Sequence, residues 1–180
     1  KNNSVDWAKV GQAGHHHPTL LRNFAHYKKL RERARNSGRA LVGHHRFGTK
    51  GETSADNSHP FQVDHITLVH NGTLTYVPDE KKYDVDSHAL TACIASRGAV
   101  KAFQDIFGAY ACVWWDAKQN KLFFAKNKER PLTVVKTGTN YYWASEAQML
   151  YWIVARNIFA FRGQEDFKVQ EFKEETLYCL

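Results

Sequence analysis

The chain is poor in the residues that staple, link or anchor proteins. Three cysteines, Cys93, Cys112 and Cys179, stand among 180 residues, with no C-x-x-C pair. An odd, widely spaced set excludes a disulfide framework and a closed cysteine zinc site, and points to a reducing, cytoplasmic setting. Cys93 and Cys112 sit in apolar stretches and read as ordinary core thiols. No run of about 18 apolar residues occurs, which excludes a membrane-spanning helix. The opening KNNSVDWAKV lacks the apolar stretch of a secretory signal. It begins on Lys1 rather than an initiator methionine, so further sequence is expected upstream. Neither an internal repeat nor a low-complexity linker is present, which excludes a solenoid.

What is there suits a folded core. Hydrophobic residues make up 43% and aromatic residues 13%, which excludes intrinsic disorder. A chain of this length buries roughly 70% of its unfolded surface, so the expectation is one domain spanning residues 1–180. Lysine and arginine number 25 against 18 acidic residues, a net charge of +7. Much of that surplus lies in Lys28, Lys29, Arg31, Arg33, Arg35 and Arg39, which read as a solvated basic helix face. Nucleic acid is the alternative partner for this stretch, although no nucleic-acid-binding signature accompanies it. Trp143, Tyr151, Trp152, Phe159 and Phe161 read as core residues; exposed together they would form a binding surface.

Periodicity gives the elements. A strand is expected at 4–10, then a Gly- and His-rich loop to Pro18. Leu20, Leu21, Phe24, Tyr27 and Leu30 recur at helical spacing, with Thr19 as cap and Asn36-Ser37-Gly38 as stop, giving a helix over 19–37. A short apolar strand is expected at 39–45, then a long polar loop over 46–60. Alternation over 61–70 predicts a strand ending at an Asn71-Gly72 turn, followed by a second run over 73–77. Helices are expected at 84–96 and 100–107, and strands at 109–116, 121–126, 132–137 and 141–145. Another helix over 147–155 and one or two C-terminal strands complete the chain. Grouped strands and segregated helices favour layered, largely antiparallel sheets over a parallel βαβ fold.

Two blocks concentrate polar, chemistry-bearing residues. In GHHRFGTKGE (43–52), Arg46 stands where an apolar run enters a Gly-rich loop. A guanidinium held there can grip a carboxylate through two parallel hydrogen bonds, with Thr49 as a neutral donor beside it. In VHNGTL (69–74), a side-chain amide adjoins a glycine N–H, the two donor types that an oxyanion hole uses. Read singly, Arg46 also fits a surface charge and Asn71-Gly72 a plain hairpin turn.

Together the blocks resemble a family. GHHRFGTKGE, NSHPF (57–61) and VHNGTL (69–74) resemble the glutaminase domain of class II glutamine amidotransferases, which are N-terminal-nucleophile hydrolases. The resemblance continues in order through Asp84-Val85-Asp86-Ser87-His88, Phe107-Gly108-Ala109-Tyr110-Ala111, Arg130-Pro131-Leu132 and Ala144-Ser145-Glu146, and is clearest over 40–150. It implies an α+β fold, a four-layer αββα sandwich with two mainly antiparallel sheets, whose N-terminal strands are missing from this sequence. It implies hydrolysis of glutamine to glutamate and ammonia. Arg46 and Thr49 would hold the α-carboxylate, and Asp86 in preference to Asp84 the α-ammonium. The Asn71 side chain and Gly72 N–H would form the oxyanion hole, with His59 and His70 as structural residues. No cofactor is implied. The partner would be an ammonia-accepting synthase or transferase; no membrane is involved.

One departure matters. The family nucleophile is an N-terminal cysteine, and here residue 1 is lysine. A chain starting at Lys1 is therefore expected not to hydrolyse glutamine by itself; the thiol would come from sequence upstream. The alternative is an inactive amidotransferase-like scaffold in a larger assembly. The short format and R-F-G-T loop also resemble amidotransferase-like proteins of bacteriophages. Ten histidines raise metal binding, with Asp84, Asp86 and His88 as one conceivable set. However, no H-E-x-x-H or closed zinc spacing occurs, and the expectation is no metal site.

Overall fold

A computed structural model describes residues 38–45, 52, 54–155 and 167–180, together with positions 5, 28, 32 and 36. The strand expected at 4–10, the loop after it and most of the helix expected at 19–37 lie outside the described residues. Lys28, Glu32 and Asn36, spaced by four, are helical and exposed.

The larger sheet is antiparallel throughout, in the order β1 (Phe61–Val63), β2 (Ile66–Tyr76), β3 (Phe107–Asp116), β4 (Lys121–Lys126) and β8 (Tyr178–Cys179). The second sheet has the order β6 (Asn140–Ala144), β5 (Thr133–Thr137) and β7 (Gln170–Glu171). Two helices, α1 (Asp86–Arg97) and α2 (Ala99–Asp105), join β2 to β3. A third, α3 (Ala147–Leu150), runs into a wider helical turn over Tyr151–Ala155.

Side-chain alternation explains the layering. On β3, Tyr110, Cys112 and Trp114 join Leu68 and Leu74 of β2 and Leu90 and Ile94 of α1 in one apolar cluster. The intervening Ala111 and Val113 join Phe124, Leu132 and Phe172 in a second cluster, between the sheets. Val135, on the far face of the second sheet, packs with Leu150 and Val154 in a third. Three clusters between four layers make the αββα sandwich that the resemblance implies. They also explain why β3 and β4 read as nearly continuous apolar runs: both faces are covered.

The local stops follow turn chemistry. Gly98, at φ +80°, ends α1 with its N–H on the Ile94 carbonyl. The buried Asp116 carboxylate accepts the N–H groups of Lys118 and Gln119 and shapes the β3–β4 hairpin. Gly138, at φ +59°, supplies the left-handed residue of the β5–β6 turn.

Three expectations need correction. Residues 61–70 are not one strand: Asp64-His65 turns the chain, and Phe61 pairs with Leu68. Asp64 takes φ +49° there, a conformation short acidic side chains tolerate. Asn71-Gly72 is not a turn, because β2 runs through it while the ten-residue β3 supplies partners along its length. Residues 39–45 form no strand. No described strand pairs with them, and Leu41 and Val42 are exposed. Of the 46–60 loop, the described part is ordered by its own bonds: Ser54 Oγ accepts the Asn57 N–H at 3.1 Å and Ser58 Oγ donates to the Ser54 carbonyl at 2.7 Å.

Candidate functional site at the edge of strand β2

Beyond Leu68, β2 has β3 on one side and no described strand on the other. Which backbone groups face that open edge follows from the ladder. Gly72 lies opposite Tyr110. The Tyr110 N–H and C=O both turn away to Asn127, at 3.2 and 3.0 Å. Gly72 and Tyr110 are therefore a non-hydrogen-bonded pair, and the Gly72 backbone groups face the edge on which no strand is described. Its neighbours of the same parity agree. The His70 carbonyl accepts a hydrogen bond from His44 Nε2 at 2.9 Å. The Leu74 N–H donates to Asp86 Oδ2 at 2.7 Å. The Gly72 N–H thus stands in a row between a contact of segment 38–45 and the carboxylate that opens α1.

Gly72 is required here for two reasons. Its φ is +144°, and a Cβ there would lie 2.7 Å from the Ala109 carbonyl carbon and 2.9 Å from His70 Nε2. Gly108 faces the same crowding from the other strand, with φ +117° and a Cβ position 2.6 Å from the Thr73 carbonyl oxygen. The two glycines let β2 and β3 approach closely beside the site, where the register also shifts between Leu74 and Tyr76.

Asn71 points to the opposite face from His70 and is exposed. Asp86, 8% exposed, takes the Ser87 N–H on Oδ1 at 2.8 Å and the Leu74 N–H on Oδ2. Its position in the first helical turn suits a negative charge. A carboxylate has about four acceptor sites, so capacity remains for further donors. Asp84 is exposed. Arg46 and Thr49 lie outside the described residues.

His70, 3% exposed, bridges β2, α1 and β3. Its Nδ1 lies 2.9 Å from Ser87 Oγ and its Nε2 3.3 Å from the Ala109 carbonyl oxygen. Burial pushes the imidazole below its ordinary value of 6.5, against the attraction of Asp86, so the ring is neutral near pH 7. His59 packs by ring contact, 3.8 Å from His44 and 4.9 Å from Phe61 between centroids. His88 stacks on Phe61 at 5.2 Å. Among the described residues, no three His, Cys, Asp or Glu side chains converge as metal ligands.

None of the three cysteines occupies the open edge. Cys93 and Cys112 are buried, and burial raises both thiols, Cys112 well above its ordinary value. Cys179 is exposed on β8, at the far side of the sheet from β2. Sequence reasoning missed Ser87, His44 and Asn127. Asn127 Nδ2 donates to the Gly108 carbonyl at 2.8 Å, so the side chain braces β3 beside the site. Its only signal was a polar residue just past a strand.

Comparison with known proteins bears on the family and the fold. A family model described as a glutamine amidotransferase domain matches residues 44–151. The glutamine–fructose-6-phosphate aminotransferase (isomerizing) of Shigella flexneri is 27% identical over 171 residues, covering 82% of this chain and 28% of that protein. The amidophosphoribosyltransferase of Pasteurella multocida is 32% identical over 148 residues, covering 63% and 29%. The chain thus spans under a third of these relatives. Among solved structures, the glutamine phosphoribosylpyrophosphate amidotransferase of B. subtilis, complexed with ADP and GMP, superposes with a TM-score of 0.52 at 18% identity, covering 76% of this chain and 33% of that one. That likeness supports the fold. With the family model spanning more than half of the sequence, the chain belongs to the glutamine amidotransferase domains of class II, within the N-terminal-nucleophile hydrolases.

Proposed function

We propose that this edge of β2 binds glutamine and supports its hydrolysis to glutamate and ammonia. The observation that carries this reading is the row formed by the Gly72 N–H and the Asp86 carboxylate. Two residues of strand separate Gly72 from Leu74, about 7 Å. In glutamine, four bonds of about 1.5 Å separate the amide carbon from the α-nitrogen, roughly 5 Å when extended. An amide oxygen on Gly72 and an ammonium on Asp86 are therefore within one molecule's reach. Arg46 and Thr49 would take the α-carboxylate, which needs a cation distinct from the ammonium's anion.

In this reading a thiol sulfur attacks the amide carbon, and the C=O electron pair moves onto oxygen. The Asn71 side chain and Gly72 N–H stabilise that oxyanion. Collapse breaks the C–N bond, the thiol proton leaves with ammonia, and water hydrolyses the thioester to glutamate. In this reading the attacking thiol is none of the three cysteines of this sequence, since Cys93 and Cys112 are buried and Cys179 is remote. The ammonia acceptor would be a synthase or transferase unit, and a cytoplasmic setting suits such chemistry. No described helix is long and apolar enough to cross a membrane.

The test is ammonia release by the full protein as isolated from its source. Asn71→Ala should lower kcat by about 10²–10³, and Arg46→Ala should chiefly raise KM. Equal rates in Asn71→Ala and the parent would refute the oxyanion assignment. A second reading, an assembly component, draws on exposed apolar residues: Trp152 is 72% exposed, beside exposed Tyr151 and Ile153. An active full protein whose Trp152→Ala variant behaves identically in sedimentation at all concentrations would count against it.

A further inference from the structure

His70, Ser87 and Asp86 form a buried chain of hydrogen bonds between the two halves of the candidate site, and their donors can be assigned. The Ala109 carbonyl only accepts, so His70 carries its proton on Nε2. The neutral ring then offers a lone pair at Nδ1, and the Ser87 hydroxyl donates to it at 2.9 Å. A hydroxyl has one proton, so its 3.3 Å approach to Asp86 Oδ1 is not a simultaneous donation. Asp86 is held instead by two backbone N–H groups, those of Ser87 and Leu74. Ser87 is thus the joint: its N–H orients Asp86, and its O–H orients His70. The ring in turn packs on Gly72, where a Cβ would stand 2.9 Å from Nε2.

We propose that Ser87 is a positioning residue which, through His70, sets the distance between the Gly72 N–H and the Asp86 carboxylate, and so the length of amino-acid amide the site accepts. This rests on the reading of the edge as a glutamine site. Asparagine is one methylene shorter, about 1.5 Å less in bond length, and cannot reach both ends of a fixed row. Ser87→Ala removes the hydroxyl and leaves the ring held at Nε2 alone, while the carboxylate keeps its backbone donors. Glutamine should then bind about tenfold more weakly with asparagine little changed, so selectivity falls about tenfold.

The experiment uses the ¹⁵N-labelled chain, with long-range proton–nitrogen spectra of the imidazoles and calorimetric titration with L-glutamine and L-asparagine. The unaltered chain should show His70 as the Nε2–H tautomer. Ser87→Ala keeps the Ala109 acceptor and so the Nε2–H tautomer, but it should shift the Nδ1 resonance toward that of a lone pair without a donor and lose the glutamine preference, and Ser87→Thr should restore both. Ser87→Cys keeps the shape with a weak donor and should resemble Ser87→Ala, which covers a failure of the alanine variant to fold. An unchanged Nδ1 resonance and a glutamine affinity within twofold of the parent, in either the Ala or the Cys variant, overturn the proposal. So does a Thr variant that behaves like Ala. If the unaltered chain binds no glutamine, the reading of the edge fails, and the length-setting role with it. The Nδ1 resonance alone then decides whether Ser87 holds His70, so the two failures are distinguishable.

Discussion

Gly72→Ala should be among the most damaging single-atom additions to this fold. The new Cβ would lie 2.7 Å from the Ala109 carbonyl carbon, closer still to its oxygen, and 2.9 Å from His70 Nε2. None of these is the loose end of a flexible side chain: the first two are β3 backbone, and the ring is hydrogen-bonded to α1 and β3. Relief therefore means separating β2 from β3 or turning His70 out of its bonds. Strain of an alanine at φ +144° costs about 1–3 kcal/mol. Overpacking of a well-filled site adds about 1–3 kcal/mol. At roughly 2–4 °C per kcal/mol for a chain of this size, a combined loss near 4 kcal/mol lowers the melting temperature by about 8–16 °C. Circular dichroism melts would measure it, with two internal controls. A Cβ on Gly138 meets nothing within 4 Å although φ is +59°, so Gly138→Ala carries backbone strain alone; Gly43, also open and without positive φ, should tolerate alanine. A Gly72→Ala melt within 2 °C of the parent, or no lower than Gly138→Ala, would refute the claim that β2 and β3 are locked together beside the site.

Two further predictions concern buried charge. Lys126, on the inter-sheet face of β4, is almost fully buried and ion-paired with the half-exposed Glu171 of β7. Glu171→Gln leaves the ammonium without its partner and should cost roughly 1–3 kcal/mol in urea unfolding, whereas Lys126→Met, of similar volume, should be within about 1 kcal/mol of the parent or more stable; the reverse ranking would show that the pair does not link the sheets. His70 gives a pH dependence of fixed sign. Its folded pKa lies below 6.5, so as pH falls past 6.5 the unfolded chain takes up a proton that the folded chain refuses. Its contribution is complete above that value and is lost progressively as pH falls toward the folded pKa. His70→Gln should flatten this part of the stability–pH curve, and an unchanged slope would show that His70 is not the group responsible.

The layered fold was legible because its signals are periodic. β4 was expected at 121–126 and is found at Lys121–Lys126, bounded by turn residues on both sides. α1, expected at 84–96, is Asp86–Arg97, because its apolar positions recur at helical spacing and Gly98 stops it. Failures came where two local signals compete. Asn-Gly favours a turn, but the pairing of β3 holds Asn71-Gly72 in a strand, and the glycine serves close approach rather than reversal. Asp64-His65 has no glycine and was passed over as a turn, because Phe61 to Val69 alternates without a visible break. The candidate site was readable as residue types, Asn71, Gly72 and Asp86, because they recur in the family pattern. Their geometry was not. That the Gly72 N–H faces away from β3 depends on Tyr110 bonding to Asn127, and strand register is set by tertiary pairing that one sequence does not display. Ser87 and His44 matter for the same reason: each acts through a partner 17 or 26 residues away.

The central claim, that the edge of β2 takes the two ends of glutamine, is tested most directly by titrating the ¹⁵N-labelled chain with L-glutamine and following its backbone amides. The account predicts saturable shifts at Gly72, Leu74 and Ser87, weaker with glutaramic acid, which has the amide and carboxylate but no ammonium for Asp86. Saturable shifts confined to other residues, or none at these three at millimolar glutamine, would contradict it.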